Sequence, residues 1–189
     1  MEMKLAEIAE RIRSLRENLE ISAADAAVYC GLTAEEYAQL ESGTADISFT
    51  FLYRCAELFG VDMVELLTGE QPKLSFYSII RGGEGLPIKR REGFTYQHLA
   101  HRFKGKEAEP FLVTAPYRPE EQGVPIPRSS HEGQEFDYIL QGSLKVALED
   151  HAEVLHQGDA IYYDSGHGHG MIATGGSDCV FLAIVLKKN

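Results

Sequence analysis

The sequence lacks the features that define several protein classes. No apolar run approaches the roughly 20 residues of a membrane span; the longest, from Cys179 to Leu186, has the length of a strand. Its 18 Gly and 7 Pro follow no period, and there is no low-complexity tract or internal repeat, which excludes collagen-like, mucin-like and solenoid chains. Cysteine is sparse. Cys30, Cys55 and Cys179 are three in number, far apart and without CxxC spacing. That suits free thiols in a reducing compartment better than a disulfide frame or a zinc ribbon. The first residues open an amphipathic helix rather than a signal peptide, so a cytoplasmic protein with no membrane partner is expected.

Positive charge is scarce in one place. Residues 1–70 hold 5 Lys and Arg against 14 Asp and Glu, a balance of −9, whereas residues 71–189 hold 13 against 15. The acidity of the chain, −11 overall, therefore belongs to its first part.

What is present is an ordinary globular composition: 189 residues, 44% hydrophobic and 25% charged, enough for two small domains with separate cores. Leu5, Ile8, Ile12, Leu15 and Leu19 recur at helical spacing, and predict a helix from about Leu5 to Leu19. Ser22 with Asp25, Thr33 with Glu36, and Asp62 with Glu65 set a capping side chain three residues before an acid. Gly31, Gly43 and Gly60 stand where helix ends need left-handed backbone. Five helices are expected. After Glu70 the period changes to short, aromatic and β-branched segments: Phe94–Phe103, Phe111–Thr114, Phe136–Leu140, Leu144–Leu148 and Cys179–Leu186. These predict an antiparallel sandwich or barrel, with the hinge at Glu70–Pro72. The expected domains are 1–70 and 71–189, giving a multidomain α + β chain.

Ser22–Tyr29, the turn at Cys30–Gly31–Leu32 and Thr33–Leu40 have the spacing of a helix-turn-helix. With Ile12–Arg13–Ser14–Leu15–Arg16, Ala26–Ala27, Leu40–Glu41–Ser42–Gly43 and Phe59–Gly60–Val61–Asp62, the first 70 residues resemble the XRE (lambda-repressor-like) helix-turn-helix family. The resemblance implies a five-helix DNA-binding domain whose recognition helix presents Thr33, Ala34, Tyr37 and Gln39 to an operator. The sequence departs from the family at Ala23, where a DNA-contacting Gln is usual, and at Glu35 and Glu36, whose carboxylates repel phosphates.

The second part carries two further motifs. Ser129–Ser130–His131–Glu132–Gly133–Gln134–Glu135 is followed after six residues by Gly142. Later, Gly158 precedes Asp164–Ser165–Gly166 and His169. Together these resemble the cupin motifs, with Ser129 in place of the first histidine, Asp164 in place of a usual Pro and Ala173 in place of a frequent Asn. The resemblance implies a double-stranded β-helix (jelly-roll) barrel in which His131, Glu135 and His169 converge. Strand alternation gives His131 and Glu135 one face, and His167 and His169 another. Two imidazoles and a carboxylate with open positions form a ligand set for Fe, and the same atoms accept Mn, Ni or Zn. Ser129 and Asp137 are expected beside the ligands, and Tyr96, His98, Arg90 and Arg91 as a wall for a small-molecule anion.

The order helix-turn-helix then cupin resembles a class of bacterial transcriptional regulators, which implies a homodimer or higher oligomer, an operator and a small-molecule effector. By architecture this ranks ahead of an enzyme. The alternative is a mononuclear non-haem metal oxygenase with a structural, non-DNA-binding helical domain. The chain is similar to the hydroxypropylphosphonate epoxidases in domain order, in the Ser-x-His-x3-Glu motif and in the ligand triad. A third reading is a non-catalytic binding or storage protein.

Overall fold

The computed structural model describes residues 5–88 and 93–187. They form two compact units, one of residues 5–77 with Arg102–Gly105, the other of Ser78–Ile88, Gly93–His101 and 106–187. Arg102–Gly105 joins the stretch beyond Glu70 through backbone hydrogen bonds that Leu74 exchanges with Arg102 and Lys104.

The first unit contains α1 (Leu5–Asn18), α2 (Ala23–Cys30), α3 (Ala34–Glu41), α4 (Phe49–Phe59) and α5 (Met63–Thr68). The caps explain where they begin. Ser22 accepts from the Asp25 N–H, Asp62 from the Val64 N–H, and Thr33 and Glu36 form a reciprocal capping box. A further cap, Ser48 on the Phe51 N–H, starts α4 without an acid to signal it. Gly31, at φ 67°, ends α2 in left-handed backbone and lets the chain turn directly into α3. Ile8, Ile12, Tyr37, Phe51, Leu52, Cys55 and Leu66 form the core between the helices. Tyr37 meets Phe51 edge-on, with ring centroids 5.7 Å apart. Arg16 of α1 forks onto Glu41 at the end of α3, at 2.7 and 3.0 Å, and donates to the Ile21 carbonyl.

The second unit contains β1 (Leu86–Ile88), β2 (Thr95–His98), β3 (Ala108–Ala115), β4 (Gln134–Gln141), β5 (Ser143–Leu148), β6 (His151–His156), β7 (Ala160–Asp164), β8 (His169–Thr174) and β9 (Cys179–Leu186). All named pairs are antiparallel, in one sheet ordered β1-β2-β3-β9-β4-β7 and a second ordered β6-β5-β8. Alternation is regular on β3 and β9, whose buried residues include Phe111, Val113, Phe181, Ala183 and Val185. Leu144, Val146, Ile172 and Ala173 supply buried residues from the other sheet.

The expected strand Phe94–Phe103 is shorter than its pattern suggests. It ends at His98, whose Nδ1 accepts the Ala100 N–H, so the chain turns instead of extending. Four strands were not anticipated. β6 is exposed at nearly every position and so shows no apolar alternation. β1 contains Pro87 at a sheet edge, and β7 and β8 are short.

Candidate metal centre

Glu135 lies on β4, inward-facing, opposite Tyr163 of β7 and Val185 of β9. His169 opens β8, and its backbone exchanges two hydrogen bonds of 2.9 Å with Ser129. His131 precedes β4 rather than lying in it, so strand alternation does not place it. A turn does: Asp164 Oδ1 accepts the Gly166 N–H, Ser165 donates its N–H to the Gly133 carbonyl, and the His131 N–H reaches the Ser165 carbonyl at 3.0 Å. Asp164, in the place of a proline, thus closes the turn that holds His131.

Ligand atoms of His131, Glu135 and His169 all lie within 4.8 Å of one another, and all three residues are buried. The tautomers suit a metal. His131 Nδ1 lies 3.1 Å from the Glu132 carbonyl and His169 Nδ1 2.9 Å from the His167 carbonyl. A carbonyl only accepts, so both Nδ1 atoms carry a proton, which leaves the Nε2 atoms as the ligating positions. His131 Nε2 stands 3.3 Å from Glu135 Oε2. Burial holds the His169 imidazole below its ordinary range, which favours the neutral ligand form. Two imidazoles and a carboxylate fit a divalent cation of the first transition row, and leave open positions.

Around the triad lie further buried polar groups. Asp137 is fully buried on the same side of β4 as Glu135, its carboxyl set against Glu135 and the Tyr163 hydroxyl, and Ser165 Oγ is buried with no hydrogen-bond partner. Burial, reinforced by Glu135, pushes the Asp137 carboxyl well above the usual carboxylate range, and burial pushes the Tyr163 phenol up. The Tyr163 and His169 rings are 5.1 Å apart. The neighbouring Tyr162 faces outward and donates its hydroxyl to Gln134, as strand alternation requires once Tyr163 faces in.

Other expected site residues are placed elsewhere. His98 is not a free ligand contact: it is fully buried, with Nε2 2.6 Å from Glu109 Oε2 and Nδ1 taken by Ala100. Lys106 and Lys187 approach the same carboxylate at 3.8 and 3.4 Å. Tyr96 is half-buried, edge-on to Phe111. Arg90 and Arg91 lie outside the described residues. Ser129 is exposed and acts on His169 through its backbone. His167 is an exposed loop residue 3.6 Å from Glu149, and only its carbonyl serves the site.

The recognition helix needs a larger correction. Tyr37 is fully buried and belongs to the core, since its position on α3 faces α4 rather than solvent. The Thr33 hydroxyl is taken up by Glu36. Ala34, Glu35, Glu36, Ala38 and Gln39 are the exposed residues of α3. Three of the described arginines of the five helices are engaged within the domain, Arg11 on the Leu66 and Leu67 carbonyls, Arg16 with Glu41 and Arg54 with the Cys30 carbonyl, whereas Arg13 is exposed and paired with Glu10 on the surface of α1.

Comparison with known families matches the Helix-turn-helix model HTH_3 over residues 12–66 and the Cupin domain model Cupin_2 over residues 118–185. The chain carries a helix-turn-helix domain and a cupin domain. No curated protein matches it in sequence. Among solved structures, it is similar over 98% of both chains to an HTH_3 family transcriptional regulator from Vibrio cholerae, at 20% identity and a TM-score of 0.69. It is also similar to hydroxypropylphosphonic acid epoxidase from S. wedmorenis, at 21% identity, 98% and 100% coverage and a TM-score of 0.52. It is likewise similar to FeII HppE, at 22% identity, 97% and 100% coverage and a TM-score of 0.52. These likenesses establish the fold. The cupin domain holds the His131–Glu135–His169 cluster, and among the described residues no helix is long and apolar enough to cross a membrane.

Proposed function

We propose that this chain is a transcriptional regulator whose helix-turn-helix domain binds an operator and whose cupin domain holds a divalent metal and a small-molecule effector. The observation that carries the reading is the pairing, in one chain, of a helix-turn-helix with a convergent triad at His131, Glu135 and His169. The fold likeness to a transcriptional regulator, at a TM-score of 0.69, supports it.

His131 Nε2, His169 Nε2 and the Glu135 carboxylate would hold the metal. When bound, a divalent ion of this kind supplies Lewis-acid attraction for an oxygen or nitrogen of a ligand. The protein's own groups do the rest. The Glu132 and His167 carbonyls fix the two imidazole tautomers, Tyr163 packs against His169, and Asp137 and Ser165 offer buried polar atoms to an incoming ligand. Effector binding alters operator affinity only if it favours one arrangement of a homodimer over another.

One observation favours a second reading, a non-haem metal oxygenase with a structural helical domain: the exposed face of α3 carries Glu35 and Glu36 and no cation. DNA-binding proteins gain affinity by neutralising phosphates with cations. Selection of bound sequences from random DNA at low salt, followed by a salt titration, separates the two. An enriched inverted repeat, with affinity falling steeply as salt rises, supports the regulator. Absence of enrichment together with metal-dependent oxygen consumption supports the enzyme and overturns the first reading.

A further inference from the structure

Cys30 and Cys55, separate in sequence, meet in the core of the helical domain. Cys30 is the last residue of α2, immediately before the Gly31 turn into α3, and Cys55 lies in the middle of α4. Their sulfurs are 3.9 Å apart. Both side chains are buried, but Cys30 keeps 4% exposure and Cys55 has none. The Arg54 guanidinium contacts the Cys30 carbonyl. The contact from Cys55, helped by Arg54, lowers the Cys30 thiol below its ordinary range. The same contact, with burial, raises Cys55. The pair therefore has a thiolate-favouring member at the margin of the core and a fully enclosed, protonated one beside it, which is the asymmetry that sequential thiol oxidation uses.

We propose that Cys30 and Cys55 are an oxidisable dithiol, converted by hydroperoxides into an intramolecular disulfide that ties the end of α2 to α4. The Cys30 thiolate attacks the terminal peroxide oxygen, the O–O bond breaks, and Cys30 sulfenic acid forms with release of an alcohol, or of water from hydrogen peroxide. The Cys55 sulfur then attacks the Cys30 sulfur, the S–O bond breaks, and the oxygen leaves as water with the Cys55 proton. Two thiols are oxidised and one peroxide is reduced. The sulfurs must close from 3.9 Å to about 2.05 Å, and Cys30 sits where that movement bears on the turn leading into the recognition helix. The proposal depends on neither DNA binding nor metal binding.

Cys179 provides an internal control. It lies in the cupin domain, which holds no second cysteine, and burial pushes its thiol up to about 11. The full-length protein is treated with one equivalent of hydrogen peroxide, alkylated and analysed by intact mass and tryptic mapping. Cleavage after Arg54 places Cys30 in peptide 17–54 and Cys55 in peptide 55–73, so a bridge joins two separate peptides. The expected result is loss of two hydrogens, linkage of those two peptides within one chain, an alkylated Cys179 and full reversal by dithiothreitol. Cys30→Ala is expected to abolish the linkage; should that variant fold poorly, the wild-type map decides alone. Oxygen adducts on single cysteines without linkage, linkage between chains or through Cys179, or three unreacted thiols would overturn the proposal.

Discussion

Replacing Arg16 by Met tests the claim that the cations of the helical domain are structural. The Arg16 and Glu41 side chains are only 11% and 10% exposed, and they meet through two hydrogen bonds of 2.7 and 3.0 Å. A third bond, at 3.0 Å, satisfies the Ile21 carbonyl between α1 and α2. Arg16→Met leaves the Glu41 carboxylate largely buried without its cation, at the C-terminal end of α3 where the helix dipole also opposes a negative charge. Breaking one side of a buried pair costs about 3 kcal/mol, which corresponds to a loss of roughly 150-fold in amide protection. Hydrogen exchange of α1 and α3 amides in the full-length protein reads this directly, because exchange is local and does not require the two domains to unfold together. The double variant Arg16→Met/Glu41→Leu removes both charges and is expected to recover most of the loss. A cost below about 1 kcal/mol for Arg16→Met, or a double variant no more protected than the single one, would refute the assignment, because a surface pair behaves in that way.

Three further outcomes follow from the same geometry. Tyr37→Phe deletes a buried hydroxyl with no hydrogen-bond partner, so the helical domain is expected to gain up to about 1 kcal/mol in urea unfolding, with unchanged affinity for any selected DNA; a comparable loss would contradict the core assignment. Thr33→Ala removes the side-chain half of the capping box and is expected to cost about 1 kcal/mol near neutral pH. Hydrogen bonds from the Thr33 N–H and from its hydroxyl hold the Glu36 carboxyl below its ordinary range; the N–H bond survives in the variant, and the hydroxyl's contribution, which does not, is complete above about pH 4.3 and disappears as pH falls through the lowered folded value. The gap between wild type and Thr33→Ala should therefore narrow between about pH 5 and about pH 3, and a widening gap would reverse the sign. His98→Ala leaves Glu109 buried with only its two lysines and should destabilise the cupin domain by about 2 kcal/mol, while metal stoichiometry stays at the wild-type value; loss of metal would return His98 to the site.

The helical domain was legible because its signals are local. Caps at Ser22, Thr33 and Asp62 and left-handed glycines at Gly31 and Gly60 act within a few residues of themselves, and the structure uses each of them. Which side of α3 faces inward is not local. Tyr37 is polar enough to suggest a surface contact, but Phe51 of α4, which buries it, is distant in sequence. In the cupin domain the triad was legible from motif spacing, although the reason first given for His131, strand parity, does not apply to a residue outside the strand. The His98–Glu109 pair could not be read, because nothing along the chain distinguishes a buried, satisfied histidine from one that lines a pocket. Nor could the pairing of Cys30 with Cys55, which depends on α2 packing against α4.

Metal binding by the triad tests the central claim most directly. Protein purified anaerobically should be stripped and titrated with Fe(II) and Mn(II) by calorimetry, with content checked by elemental analysis, for wild type, His169→Ala and Glu135→Ala. The account predicts one ion per chain for wild type, and affinity falling by at least about 100-fold in either variant. Substoichiometric metal in the wild type, or variants that bind as the wild type does, would contradict it.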